Sequence, residues 1–120
     1  MTDFQNIAER YISTWNERDA AARRRALAEL WAEDGTYVDP LAVAEGRDAI
    51  DATIGAVQEQ FAGFTFALDG PVDAHHDQAR FRWTLSQPGT EPLVVGFDVA
   101  VVDGDGKLRS VLGFLDKVPG

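Results

Sequence analysis

Three side chains in this sequence stand where their chemistry is out of keeping with their neighbours. The first is Tyr11 in "ERYISTWNERD". Phe4, Ile7, Ala8, Tyr11, Ile12 and Trp15 fall on one stripe at helical spacing, so the ring points inward. A buried phenol either reaches a hydrogen-bond partner, as core tyrosines commonly do, or serves a reaction. The second is Asp98, inside "VVGFDVAVV". Desolvation within an apolar strand raises a carboxyl pKa and favours the neutral form. Alternation leaves two phases open: Gly96, Asp98 and Ala100 facing a cavity, or Phe97 and Val99 facing in with Asp98 in solvent. The third is Asp39 in "GTYVDP", whose backbone is pushed to extended angles by Pro40. Asp before Pro is also a frequent turn starter.

Other candidates are weaker. His75 and His76 stand just before "ARFRW", and one of the pair must face each side; His76 is a candidate for a cavity, against the simpler account of a half-wet ring at a strand entrance. No triplet of histidine and carboxylates has ligand spacing, so no metal site is expected. "DGDGK" begins like a calcium loop, but Lys107 replaces the next oxygen ligand and no glutamate closes it; it reads as a hairpin turn. Phe81 and Trp83 alternate with Arg80 and Arg82, which places the aromatics toward the interior and the arginines on the outer face. Trp15, Trp31, Phe81 and Trp83 could together wall a cavity, although core filling accounts for tryptophans equally well.

These residues need elements to hold them. The periodicity predicts a helix over 4–16 behind a Thr2 or Asp3 cap. A second helix is predicted over 20–32, capped by Asp19, with Leu27, Leu30 and Trp31 inward and Arg23, Arg24 and Arg25 on its wet side. A third is predicted over 47–61, with Ile50, Ile54, Val57 and Phe61 on one face. From Phe64 onward the pattern changes to short β-rich runs separated by "DGP", "QPGTEP" and "DGDG" turns. Helices first and strands afterwards argue for an α+β fold, a single domain over 1–120 with three helices on a curved antiparallel sheet.

The chain has 120 residues, enough to bury a core without staples. Acidic residues outnumber basic ones 20 to 11, and the net charge of −9 would repel a phosphate backbone, so no nucleic-acid partner is expected. There are no cysteines, which removes disulfides, thiolate metal sites and a thiol nucleophile. No apolar run approaches the roughly 20 residues of a membrane span, and "MTDFQNIAER" lacks the make-up of an export signal. A soluble cytoplasmic protein with no membrane partner is expected.

Taken in order, "RYISTWNERD", "LWAEDGTYVDP", "EGRDAI" and "GFDVAVVDGDGKLRSVLGFLD" resemble the NTF2-like superfamily, in particular its SnoaL-like and ketosteroid-isomerase-like branch. The resemblance covers nearly the whole chain. It implies a cone of three helices wrapped by a curved sheet, a closed-ended apolar pocket for a small apolar ligand, and often a homodimer through the sheet. Carried across residue by residue, the isomerase pattern places its tyrosine on Tyr11, its general-base aspartate on Asp39 and its strand acid on Asp98, which then faces the pocket. Asp39 would lift a carbon proton, while Tyr11 and a protonated Asp98 would hold the enolate oxygen; a neutral carboxylic acid donor is a known feature of ketosteroid isomerases. Trp15, Trp31, Phe81, Trp83 and His76 would bind the substrate. The implied activity is a cofactor-independent isomerase or polyketide-cyclase-like enzyme acting on a small apolar ketone. Its alternatives are a ligand-binding member without turnover and a dehydratase assisted by a histidine. Fold alone does not choose among them.

Overall fold

In the computed structural model, which describes residues 2–119, the three N-terminal helices form where the periodicity places them. α1 spans Phe4–Asn16, and the Asp3 side chain caps it by accepting from the Asn6 amide at 3.0 Å. Its buried stripe is Phe4, Ile7, Ala8, Tyr11, Ile12 and Trp15, joined by Thr14, whose hydroxyl donates back to the Tyr11 carbonyl at 2.6 Å. α2 (Ala20–Leu30) is capped by Asp19 and α3 is Arg47–Gln60. α2 stops short of the expected end because Trp31 opens β1 (Trp31–Val38). The Trp31 ring packs over Gly35, where a Cβ would stand 2.6 Å from it, and Arg47 anchors the start of α3 by donating to the Trp31 carbonyl from Nε and from a terminal nitrogen at 3.1 and 2.6 Å.

One arginine departs from the expected wet face. Arg23 is buried: its Nε donates to Asp51 of α3 at 2.6 Å and a terminal nitrogen donates to the Gln58 side-chain oxygen at 2.9 Å. The Gln58 amide in turn donates to the carbonyls of Trp15 and Glu17, groups that the end of α1 leaves without helical partners. Hydrophobic spacing is blind to this cluster, because a long polar side chain can turn inward wherever another element offers partners. Arg24 and Arg25 are exposed as expected.

The remaining strands are β2 (Val43–Glu45), β3 (Thr65–Leu68), β4 (Asp73–His75), β5 (Gln78–Ser86), β6 (Val94–Val102) and β7 (Leu108–Lys117). Their order is β2-β1-β7-β6-β5-β3, with β4 paired to β5 off this path. All pairs are antiparallel except β1 with β7, so the sheet is mixed rather than wholly antiparallel as expected. That pair is joined through all of the intervening elements, and no tight turn forces it to be antiparallel. Along β6 buried and half-buried residues alternate, with Val94, Gly96, Asp98, Ala100 and Val102 inward. The helices close over this inner face.

The helix-side cluster sets a stability prediction. Asp51→Ala leaves the Arg23 charge buried without its partner and should cost about 3–5 kcal/mol. Arg24→Ala breaks a pair whose side chains are 58% and 92% exposed and should cost under about 1 kcal/mol. Urea unfolding of the two variants checks the contrast.

Candidate functional site

Inside the sheet's curve lies a cavity of 340 Å³ whose lining includes Tyr11, Asp39 and Asp98. Each arrives on a different element: Tyr11 from the middle of α1, Asp98 from the middle of β6, and Asp39 from the turn between β1 and β2. Aromatic rings form the inner wall. Trp15 stands 5.4 Å from Tyr37 and 5.5 Å from Phe66, centroid to centroid, and Phe66 stands 5.4 Å from Trp83. The mouth is apolar: Leu41 is 84% exposed and Val118 55%, with Val57, Phe61 and Pro119 beside them.

Two glycines make the site possible. The Trp83 indole lies flat across its β6 partner Gly96, where a Cβ would meet the ring at 2.0 Å. This packing brings the indole N–H to Asp98. At Gly113 of β7, opposite Asp98, a Cβ would stand 2.9 Å from Asp98 Oδ1 and 3.3 Å from Asp39 Cβ. The two acids thus flank a spot that only glycine leaves open.

The acids differ in their surroundings. Asp98 is 2% exposed, and burial pushes its pKa up to about 7. Hydrogen bonding from Trp83 and Tyr11 pulls the value down, and the Asp39 charge pushes it up again. Asp39 is only half-buried and its carboxylate accepts from three donors. Oδ1 accepts from the Leu41 and Ala42 amides, each at 2.8 Å, and Oδ2 accepts from the Tyr37 hydroxyl at 2.5 Å. Asp39 is thus both a turn starter and part of the cavity wall. Tyr11 titrates well above the ordinary phenol value, chiefly through burial and then through the Asp98 charge. Tyr37 is raised as well, by burial first and then by its bond to Asp39. Both phenols therefore remain neutral donors at physiological pH.

Of the aromatic residues expected around a ligand, Trp15 and Trp83 line the cavity. Trp31 and Phe81 do not: they pack against the Tyr11 ring at 6.4 and 5.8 Å and fill the core behind it. His76 is also outside. It sits exposed with φ 54° in the turn between β4 and β5, its Nδ1 3.0 Å from Nδ1 of His75. That turn lets both rings point to solvent, which the strand argument did not foresee. The residue that the sequence reading passed over is Tyr37. Its position two before Asp39 on a strand puts both side chains on one face, a signal present in "TYVD".

A SnoaL-like domain matches residues 8–111, and the chain belongs to that family. Among solved structures it is similar to a provisionally named isomerase of the SnoaL-like family from Agrobacterium tumefaciens, with 39% identity over 93% of this chain and 96% of that one and a TM-score of 0.89. A provisionally named polyketide cyclase from Sinorhizobium meliloti shares 22% identity over 90% and 93% of the two chains, TM-score 0.70. A protein of ketosteroid-isomerase-like fold from Catenulispora acidiphila, solved with trimethylamine, shares 19% over 94% and 85%, TM-score 0.73. The last two likenesses speak to fold alone. No curated protein matches significantly. No helix among the described residues is long and apolar enough to cross a membrane.

The state of Asp98 can be read from stability. The folded chain holds this proton to about pH 7, whereas the unfolded chain releases it near 3.8. The stability contributed by the neutral carboxyl is full below 3.8 and lost as pH climbs to about 7. Asp98→Asn, which stays neutral, should therefore gain nothing at low pH and on the order of 4 kcal/mol above pH 7. Unfolding curves of both proteins across that range check the trend.

Proposed function

We propose that the protein is a cofactor-independent isomerase, or a cyclase of related chemistry, acting on a small planar apolar ketone such as a steroid or polyketide. The observation that carries this reading is a neutral phenol, a carboxyl whose pKa burial pushes up to about 7, and a second carboxylate around one apolar cavity. The ketone oxygen lies against Tyr11 and protonated Asp98, and its hydrocarbon body fills the aromatic chamber toward the mouth. Asp39 Oδ2 takes a proton from the carbon beside the carbonyl. The electron pair moves into the enolate, whose oxygen the two donors stabilise in a dry site. The same carboxyl returns the proton at the far end of the conjugated system, which shifts the double bond. Tyr37 fixes the orientation of the Asp39 carboxyl by donating to it. The volume falls within the range of small-molecule sites.

Asp39→Asn should lower kcat on a 5-ene-3-ketosteroid by roughly 10²–10⁴-fold with binding largely kept. Tyr11→Phe and Asp98→Leu should each lower turnover by weakening the enolate, about 10²–10³-fold for a lost donor. Turnover should fall as pH rises through about 7, where Asp98 stops being a donor. Turnover unchanged in Asp39→Asn, or none in the wild-type protein, removes the isomerase. A second reading, ligand capture without turnover, is favoured by the three donors already on Asp39, which occupy lone pairs that a base would present to a substrate. A histidine-assisted dehydratase loses its support, because both histidines sit outside the cavity.

We also propose a homodimer through the outer sheet face. Val43, Val38, Leu112 and Val99 are register partners in one row across four strands, and Phe97 pairs with Phe114 beside them. Val43 is 71% exposed and Phe114 56%, more apolar surface than a monomer usually leaves wet. Arg82, paired with Phe97, borders the strip. The wild-type protein should sediment as a dimer at micromolar concentration and Phe114→Asp as a folded monomer.

A further inference from the structure

We propose that the same cavity binds small hydrophobic amines in their ammonium form, with the cation held between Asp39 and Asp98 against the surrounding aromatic rings. The inference stands apart from any turnover and needs only the walls of the cavity. Among the described residues two carboxyls line it, and no lysine, arginine or histidine does. Asp98 is 2% exposed, and among the described residues neither acid takes part in an ion pair. The donors on Asp39 are a phenol and two backbone amides, all neutral, so its charge is solvated without being cancelled. The buried arginine of this protein shows the contrasting solution, since Arg23 has Asp51 against it. A buried acid without a cation is a site that a cationic ligand completes.

The walls fit such a ligand in other respects. Gly113 lets both acids approach the same stretch of β7, with Asp98 Oδ1 and Asp39 Cβ within 3.3 Å of the place its Cβ would take. Tyr11, Trp15 and Tyr37 line the same cavity as the acids, with Trp15 centred 6.3 and 5.4 Å from the two tyrosines, and aromatic faces attract ammonium groups. Leu41, Phe61 and Val118 at the mouth receive the hydrocarbon part. The net charge of −9 draws cations toward the protein from solution.

Ketone and ammonium ask opposite things of Asp98: the first needs it protonated and the second needs it ionised. The groups that face it are Tyr11 from α1, Tyr37 of β1 with Asp39 in the turn beyond, and Trp83 from β5, while β7 presents only Gly113. Of these, only Asp39 carries a charge near neutral pH.

Isothermal titration with 2-phenylethylammonium chloride, against 2-phenylethanol as the neutral counterpart, tests the proposal on the wild-type protein. The amine keeps its charge from about pH 6 to about pH 8, and over that span its affinity should rise about tenfold as Asp98, titrating at about 7, ionises. At the upper pH the amine should bind at least about tenfold tighter than the alcohol, a difference of one ion-pair-sized increment. Asp98→Asn should flatten the pH dependence and weaken the amine while leaving the alcohol nearly unchanged. Equal affinities for amine and alcohol, an amine affinity that does not change with pH, or an Asp98→Asn variant that binds the amine as well as wild type would each overturn it. The wild-type comparison does not depend on the variant folding. A protein that binds the amine as described and isomerises nothing upholds this inference while removing the isomerase.

Discussion

The arrangement turns on one desolvated carboxyl. Asp98 sits at the centre of β6, flanked in register by Phe81 and Gly113, and among the described residues no cationic side chain pairs with it. A carboxylate placed there loses its water without gaining a counter-charge, so the neutral form persists far above its ordinary range. Its neighbours follow from that constraint. The Trp83 indole reaches it only by lying over Gly96, and Asp39 approaches it only because Gly113 has no side chain. The strained balance of a neutral acid beside a charged one is kept in place by a sheet whose other inward positions are apolar.

The helix side of the molecule settles its buried polar groups in the opposite way. Arg23, Asp51 and Gln58 satisfy one another and close the end of α1 through the Trp15 and Glu17 carbonyls. That knot fixes α1 at its C-terminal end, one turn beyond Tyr11 and beside Trp15, two of the rings that form the chamber. Full satisfaction there lets the helices act as a rigid roof, and incomplete satisfaction at Asp98 leaves the chemistry in the cavity. Removing a group from the first should cost stability, whereas neutralising the second should add to it. This division is common where a fold supports a site at the expense of its own stability.

A ligand meets the two acids as unequal partners. Asp39 is charged, half-wet and restrained by Tyr37 and the turn amides, while Asp98 changes state near neutrality. Proton abstraction from a ketone and capture of an ammonium therefore draw on one cavity in two ionisation states. The apolar mouth serves both, because either ligand carries its polar group inward and its hydrocarbon outward.

Much of this was legible in the residues. Helical spacing marks the inward face of α1 and the turn residues divide the strands, because both depend on neighbours within a few positions. The conspicuous acid in "VVGFDVAVV" and the acid before Pro40 could be picked out for the same reason, and "TYVD" already places Tyr37 on the side of Asp39. What the sequence left open needed contacts between distant segments. The inward phase of Asp98, the burial of Arg23, the parallel pairing of β1 with β7, the exposure of His76 and the withdrawal of Trp31 and Phe81 behind Tyr11 are all of that kind. Alternation tells that a strand has two faces, and only the helices packed over one of them decide which is dry. The order of residues determined that a carboxyl would stand in an apolar strand; tertiary structure decided that it would be buried beside a second acid, because two glycines on neighbouring strands leave room for the approach.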